Sequence, residues 1–283
     1  DQSANHDLST WAQQLNKRGL KTRTLLLGDN AQIPHNTSTL IIAGPRVKLQ
    51  PGEVKQISAF LGSGGNLLWL NDPGPLQGLA PLSEMLGVEF EPGVIVDPVS
   101  QAFTGGASAT FVVVTQYGHH PAVRDFQLTT LFPEAAGIRT HTAEGWRAEM
   151  LLDTSASAWS ETGTPDDSAR FHQGKDIHGP LSVGIALTHA HEGKEQRVIV
   201  MGDGDFLSNT YIGNGGNLDL GMNLINWVSG DDIYLNIPSH TANDVQLDLS
   251  HTAIAAIRLF FVILLPLALM SGGMVIWWRR RRR

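Results

Sequence analysis

The chain has 283 residues with 27 acidic and 20 basic side chains, a formal net charge of −7 at pH 7, and no cysteine. This length suits one large or two small domains with a buried core. The lack of cysteine excludes disulfides, thiolate metal sites and a cysteine nucleophile, and it fits an oxidising compartment. Residues 1–257 carry 14 basic against 27 acidic residues, a net charge of −13, so we expect no binding of nucleic acid and no binding of an anionic membrane surface by charge.

The first predicted element is a helix. Leu8, Trp11 and Leu15 recur at helical spacing after Asp7, a favourable N-cap, and Gly19 ends the pattern. A parallel α/β unit normally has a strand before its first helix. We therefore expect the chain to be an N-terminally trimmed fragment that lacks a first strand, and an export signal or N-terminal membrane helix would be missing with it.

Strands and helices then alternate. Apolar, strand-like runs occur at 24–27, Thr39–Ala43 and Asn66–Leu70. A predicted helix that starts at Pro51 lies between the last two runs, and a second helix over 79–86 follows the third run. The turns between these elements are short and rich in glycine or proline. This alternation is typical of a doubly wound, mostly parallel sheet, and we assign residues 1–97 to the first part of an α/β ectodomain.

The pattern loosens over residues 98–180, which we interpret as an insertion or β-rich subdomain with a polar, mobile loop at 155–175. Residues 181–188 and 197–201 then predict a hairpin that returns the chain to the main sheet. We assign 181–238 to the last part of the ectodomain, with an optional edge strand at 233–237.

The strongest concentration of polar side chains follows the strand at 197–201. Asp203 and Asp205 come directly after it, and a turn leads into a largely apolar helix over 217–228, on which Trp227 is predicted to be buried. Ligands in open α/β sheets bind outside the carboxyl ends of the strands, so we expect a site here. The candidate ligand-binding residues are Asp72, Asp203, Asp205, Asn209, Asn214, Asn217 and Asp219.

Two interpretations of this acidic pair stay open. The pair could present carboxylates to a hard cation or a substrate, or it could cap backbone N–H groups in the turn, as aspartate commonly does. No nucleophile elbow, Walker loop or complete dinucleotide fingerprint occurs, so no catalytic set and no cofactor is predicted.

The histidines give a weaker signal. His189 and His191 share one face of a strand end, but a third ligand at a recognisable spacing for zinc is lacking, so no metal is predicted. His119, His120 and the histidines at 172 and 178 are predicted to lie in solvated loops.

Residues 259–278 form an uncharged stretch of 20 residues, the length of a transmembrane helix. It begins at Leu259, contains Pro266, Gly272 and Gly273, and ends with the aromatic pair Trp277 and Trp278 before an arginine tail that starts at Arg279. Five arginines at 279–283 orient the carboxyl terminus to the cytoplasm. We therefore expect the body of the protein on the periplasmic side of the bacterial cytoplasmic (inner) membrane. A juxtamembrane linker at 239–258 would connect it to the helix at 259–278, through which the protein contacts lipid.

Several stretches together resemble a known family. GDGDFLSN at 202–209, GNGGNLDLGMNLINWVSGDD at 213–232, the terminal apolar helix and the arginine tail are similar to the GldG-like family of ABC transporter auxiliary proteins, linked in some bacteria to gliding motility. NHDLSTWAQQL, IPHNTSTLIIAGP and PGEVKQISAFLGSGGNLLWLNDPG agree with that family's extracytoplasmic domain.

The resemblance implies a flavodoxin-like domain, related in shape to class I glutamine amidotransferases and found also in intraflagellar transport proteins. Those amidotransferases use a cysteine nucleophile, which this chain lacks. The implied partners are a membrane-spanning permease and a cytoplasmic ATPase. We therefore expect a non-catalytic, membrane-anchored ectodomain that serves an ABC transporter and binds a ligand or cell-envelope partner. The alternative is a membrane-anchored hydrolase or carbohydrate-active enzyme that uses Asp203 and Asp205.

Overall fold

The structure is a computed structural model that describes residues 5–28, 32–105, 108–163, 165, 169–230, 277 and 281. Internal contacts divide the chain into two units, Asp1–Ile237 and Pro238–Arg283. In the second unit, Trp277 and Arg281 are helical, and the Arg281 guanidinium lies 5.1 Å from the centre of the Trp277 indole.

Five helices and twelve strands make up the described part of the first unit. The helices are α1 (Ser9–Lys17), α2 (Pro51–Gly62), α3 (Ala80–Leu86), α4 (Pro98–Phe103) and α5 (Asn217–Val228). The strands are β1 (Thr39–Ala43), β2 (Asn66–Leu70), β3 (Val88–Phe90), β4 (Val94–Val96), β5 (Val112–Val114), β6 (Thr130–Phe132), β7 (Ile138–Thr140), β8 (Trp146–Asp153), β9 (Trp159–Glu161), β10 (Ile177–His178), β11 (Ser182–His191) and β12 (Lys194–Met201).

The main sheet has seven strands and is mixed. Its order is β1-β2-β12-β11-β7-β3, and β8 also pairs with β11. The pairs β1/β2 and β2/β12 are parallel, as the apolar runs predict, whereas β11 pairs antiparallel with β12, β7 and β8. The parallel arrangement therefore applies to three strands, and β1 lies at one end of the described order.

The hairpin between β11 and β12 lies where the sequence predicts it. Glu192 and Gly193 both have positive φ angles, of 47° and 78°. Two consecutive left-handed residues are the signature of the tight hairpin turn whose twist matches that of paired strands. The hairpin is tied to α2 because the Gln196 side-chain amide donates hydrogen bonds to the carbonyl oxygens of Leu61 and Gly65, at 2.8 and 2.6 Å.

The two faces of the sheet contribute to different cores. Alternate side chains of β2 and β12 point to opposite faces. One set, which includes Trp69 and Val200, packs with the apolar faces of α2 and α3. The other set, which includes Leu70 and Met201, packs with α1 and α5. Burial on both faces explains why these strands are continuous apolar runs rather than alternating ones.

Region 98–180 contributes to three sheets. It supplies β7 and β8 to the main sheet, the β5/β6 pair, and β9 and β10, which join β4 in a three-stranded sheet. The polar stretch 155–175 was predicted to be a loop, but it contains β9, in which Trp159, Ser160 and Glu161 are buried. A single aromatic residue beside a serine and a glutamate is too weak a periodic signal to predict so short a strand.

The predicted strand at 24–27 is wrong. These residues form no ladder with another described strand. Leu25 and Leu27 nevertheless pack against the core cluster that includes Leu40 of β1, and Leu26 is 86% exposed. The side chains alternate between exposed and half-buried, as in a strand, but the backbone is not paired with another strand. Whether a segment is paired depends on its neighbours in the fold and cannot be predicted from that segment alone.

The proposed edge strand at 233–237 and the apolar stretch 259–278 lie outside the described residues, apart from Trp277. Among the residues that the structure describes, no helix is both long enough and apolar enough to cross a membrane.

Candidate functional site

The carboxyl ends of the three parallel strands meet at one edge of the sheet. Gly44 follows β1, Asp72 follows β2, and Gly204 lies in the turn after β12. The backbone N–H of Gly204 donates a 2.8 Å hydrogen bond to Oδ1 of Asp72. Gly44 has a φ of +45°, and a Cβ atom there would lie 2.5 Å from Oδ2 of Asp72, so only glycine fits. The edge is thus built around the Asp72 carboxylate, which two glycine backbones approach closely.

Asp203 is fully buried beneath this edge, with 0% of its surface exposed. Its Oδ1 accepts a hydrogen bond from the Phe206 backbone N–H at 3.2 Å, and its Oδ2 has no hydrogen-bond partner in the described part of the chain. Burial, followed by repulsion from the Asp72 and Asp205 carboxylates, raises the pKa of Asp203 well above its usual value. Asp203 therefore caps a turn and favours its neutral form.

Asp205 opens the 3₁₀ turn Asp205–Leu207 and stays partly exposed. Burial and the nearby Asp72 raise its pKa, and His6 and Arg46 oppose that rise. The His6 Nδ1 atom lies 3.9 Å from Oδ2 of Asp205. Asp205 is therefore the member of the predicted pair that solvent or a partner can reach.

A shallow cleft of about 230 Å³ opens beside Asp72. Arg46 and Asp72 place opposite charges in its lining, and the other lining residues are small or polar: Gly44, Pro45, Asn71, Pro73, Pro75 and Gln77. Sequence reasoning missed Arg46, although the Gly44-Pro45 stop after β1 marks the same edge as the Asp72 turn.

The three carboxylates do not form a metal site in this arrangement. Among the described residues, the set of three metal-ligating groups whose donor atoms come within 4.8 Å of one another lies elsewhere in the chain, at Glu161, His172 and Asp176. The hard-cation interpretation of Asp203 and Asp205 therefore gains no support from the geometry.

Asn209 and Asn217 hold backbone segments together. The Asn209 Oδ1 atom accepts from the Thr10 backbone N–H at 2.9 Å, and its Nδ2 donates to the Ser9 hydroxyl at 2.9 Å. Asn217, fully buried, accepts from the Leu131 N–H at 2.9 Å and donates to the Leu131 carbonyl at 2.8 Å. Both side chains are thus used inside the fold.

The remaining candidates lie at the surface. Asn214 is exposed in the turn before α5, and Asp219 is half-buried in the first turn of that helix. The structure therefore brings together Asp72, Asp203 and Asp205, and it assigns Asn209 and Asn217 to backbone contacts.

Four of the described histidines lie in ring contacts: His120, His178, His189 and His191. The His189 ring lies 5.1 Å from the Trp146 ring, and its Nδ1 lies 3.3 Å from the Gln196 side-chain oxygen. His120 was predicted to be solvated, and this prediction is wrong: its ring is buried 4.5 Å from the Trp227 ring, and burial lowers its pKa. The short loop that carries His120 packs against α5, and this tertiary contact cannot be predicted from the loop sequence alone.

The family of the chain follows from its sequence profile. The family described as "ABC-type uncharacterized transport system", ABC_transp_aux, matches residues 2–236. This match covers most of the chain, which therefore belongs to that family of ABC transport auxiliary components. The coarse family prediction is confirmed, and the link to gliding motility stays a prediction.

Other comparisons add little. No curated protein matches the chain. Among solved structures, the chain is similar to the mmIFT52 N-terminal domain, with 18% sequence identity and a TM-score of 0.49 over 68% of this chain and 77% of that one.

Proposed function

We propose that this protein is a non-catalytic, membrane-anchored ectodomain that serves an ABC transporter and binds a ligand or cell-envelope partner at the edge formed by Asp72, Asp205 and Arg46. Membership of the auxiliary family supports the transport role. The apolar stretch at 259–278, with its arginine tail, supports the anchor and the periplasmic side of the body. A flavodoxin-like relationship of the α/β unit is part of the same proposal.

The burial of Asp203 is the observation that carries the non-catalytic role. A hydrolase that used Asp203 and Asp205 together would need both carboxyl groups within hydrogen-bond reach of a substrate. Asp203 has no exposed surface, and its Oδ1 is occupied by the Phe206 backbone N–H. The accessible carboxylates of Asp72 and Asp205 lie beside Arg46, and this mixture of charges suits recognition of a polar partner.

The size of the cleft favours a partner that inserts only a short segment or a single side chain. Its volume of about 230 Å³ lies below the usual range of about 300 to 1,000 Å³ for small-molecule pockets. Arg46 and Asp72 offer one positive and one negative group to a polar segment or a short side chain of a partner. A cleft of this size and charge fits a docking point on a larger surface.

The test uses cells whose own copy of this chain is deleted and which express a full-length variant instead. The transporter is purified from these cells and its ATPase activity is measured. Asp203→Asn should restore that activity to the wild-type level, because a buried side chain that caps a turn takes no part in a reaction. A hydrolase would lose its function with this change. The paired variant Arg46→Glu with Asp205→Lys, which leaves the Asp72 carboxylate and its hydrogen bond from Gly204 intact, should fail to restore that activity while the protein still reaches the membrane at normal abundance.

A matched control is the pair Arg124 and Asp125, an exposed ion pair with 3.4 Å between Nε and Oδ2. Arg124→Glu with Asp125→Lys reverses the same charges away from the cleft. Failure of this control as well would show that the loss reflects general charge reversal and would remove the cleft from the proposal.

A further inference from the structure

A second cluster of titratable groups lies where β9 meets the turn before β10. Glu161 ends β9, and His172 and Asp176 flank the turn that leads into β10. One donor atom from each of the three residues lies within 4.8 Å of the other two. The antiparallel pairing of Ser160 with Ile177 places Glu161 and Asp176 at the next position of the ladder, so the strands themselves bring the two carboxylates together.

The two carboxylates are buried side by side. Glu161 is 4% exposed, and the side chain of Asp176 is 0% exposed. In the described part of the chain, no lysine or arginine nitrogen lies within 4.0 Å of either carboxylate. Nδ1 of His172 lies 3.3 Å from Oδ2 of Asp176, and the Lys175 ammonium lies near Gly163, beside Glu161. Buried carboxylates are normally paired with another charge or bound to a metal, and here neither carboxylate has a lysine or arginine within ion-pair distance.

Neutral donors hold both carboxylates in place. The Trp159 indole N–H donates to Oε2 of Glu161 at 3.1 Å, and the Gly163 backbone N–H donates to its Oε1 at 2.9 Å. The backbone N–H of His172 donates to Oδ2 of Asp176 at 2.7 Å. Each carboxylate oxygen has a further lone pair, and outer hydrogen bonds of this kind are what fix ligand carboxylates in metal sites.

We propose that Glu161, His172 and Asp176 bind a zinc ion that fastens the turn at 172–176 to β9. One imidazole nitrogen and two carboxylate oxygens suit Zn²⁺, with water in a fourth position, whereas Ca²⁺ and Mg²⁺ favour sets of oxygen ligands. Tetrahedral ligands at about 2.0 to 2.2 Å from zinc lie roughly 3.3 to 3.6 Å apart. The Nδ1 atom of His172 already lies 3.3 Å from Oδ2 of Asp176, and its side chain is 62% exposed and free to adjust.

The test uses the untagged full-length protein, stripped with EDTA and titrated with ZnCl₂ against a chromophoric chelator. We expect one zinc ion per chain with micromolar or tighter affinity, and a zinc-dependent rise in the thermal unfolding midpoint. His172→Ala is the decisive variant, because this exposed side chain can be removed without opening the core. It should weaken zinc binding at least 10-fold and abolish the thermal shift, and Glu161→Gln should weaken binding as well.

His119→Ala, which removes another exposed histidine, is the matched control and should bind zinc as the wild type does. Wild-type protein that binds no zinc at micromolar concentration would overturn the proposal. Equal zinc affinity in His172→Ala and wild type would also overturn it, because the ion would then be bound elsewhere. The circular dichroism spectrum of each apo variant separates loss of ligation from loss of fold.

Discussion

At the scale of single residues, the fully buried Asp203 has the clearest consequence for stability. Its pKa is raised in the folded protein, so folding favours the protonated acid. The stabilising contribution is present below the unfolded-state pKa of about 4 and is lost as the pH rises through the higher folded-state value. The free energy of unfolding should therefore fall with increasing pH in this window.

Asp203→Asn should remove this dependence. The amide keeps an oxygen for the Phe206 N–H and cannot ionise, so we expect a gain on the order of 1 kcal/mol at pH 8 and a much smaller difference near pH 4. Urea unfolding of both proteins at several pH values measures the effect. Equal stability of the two proteins at pH 8 would show that Asp203 is not held neutral by burial.

Trp227 is the second informative residue. It is 3% exposed, its ring is covered by the Arg197 guanidinium at 5.1 Å, and His120 meets its edge. This environment agrees with the sequence prediction that the side chain is structural. Trp227→Ala should lower the free energy of unfolding by about 3 to 5 kcal/mol, as for other buried aromatic residues. Thermal melting of the variant measures the loss, and a melting temperature like that of the parent would refute a core role.

At the scale of elements, Asn217 joins the start of α5 to β6. Its amide spans the N–H and C=O of Leu131 and also donates to the carbonyl oxygens of Phe206 and Tyr211, each at 3.1 Å. Asn217→Ala would leave these buried backbone groups without their partner, which should cost roughly 2 to 4 kcal/mol of stability. Asn214→Ala, three residues earlier and exposed, should change stability by less than about 0.5 kcal/mol. Chemical denaturation of the two variants gives the comparison, and equal losses would contradict the assigned roles.

The same two asparagines show what the sequence reveals about elements. The sequence predicted β1, β2 and β12 from their continuous apolar runs, which reflect burial on both faces of the sheet. It predicted α2 and α5 from apolar residues at helical spacing. The convergence of Asp72 with Asp203 could not be predicted from the sequence, because it depends on β2 and β12 being neighbours in the sheet. Local sequence could not distinguish the buried Asn217 from the exposed Asn214, since that difference depends on Leu131, which lies 86 residues away. Likewise, the burial of Asp203 beneath an exposed Asp205 depends on how the turn folds back.

At the scale of the whole molecule, the charge distribution separates body from tail. Residues 1–257 have a net charge of −13, and the five arginines at 279–283 lie at the other end of the apolar stretch. A body of this charge has little electrostatic attraction to anionic lipid, so membrane attachment should depend on 259–278.

Gly272 and Gly273 within that stretch could let another helix approach closely. Gly272→Leu with Gly273→Leu should reduce recovery of the permease several-fold in co-purification while membrane insertion persists, because added leucines raise apolarity. Deletion of residues 279–283 should instead disturb orientation. Unchanged permease recovery in the double variant would leave the stretch as a simple anchor.

Attachment of this chain to an ABC transporter is tested most directly by purifying the full-length protein from its native membrane. Quantitative mass spectrometry then identifies the proteins that co-purify with it. A variant that ends at residue 257 serves as the control. We expect a permease and an ATPase to be recovered with the full chain in a fixed ratio and to fall to background with the control. Recovery of neither subunit above background with the full-length protein would contradict this attachment.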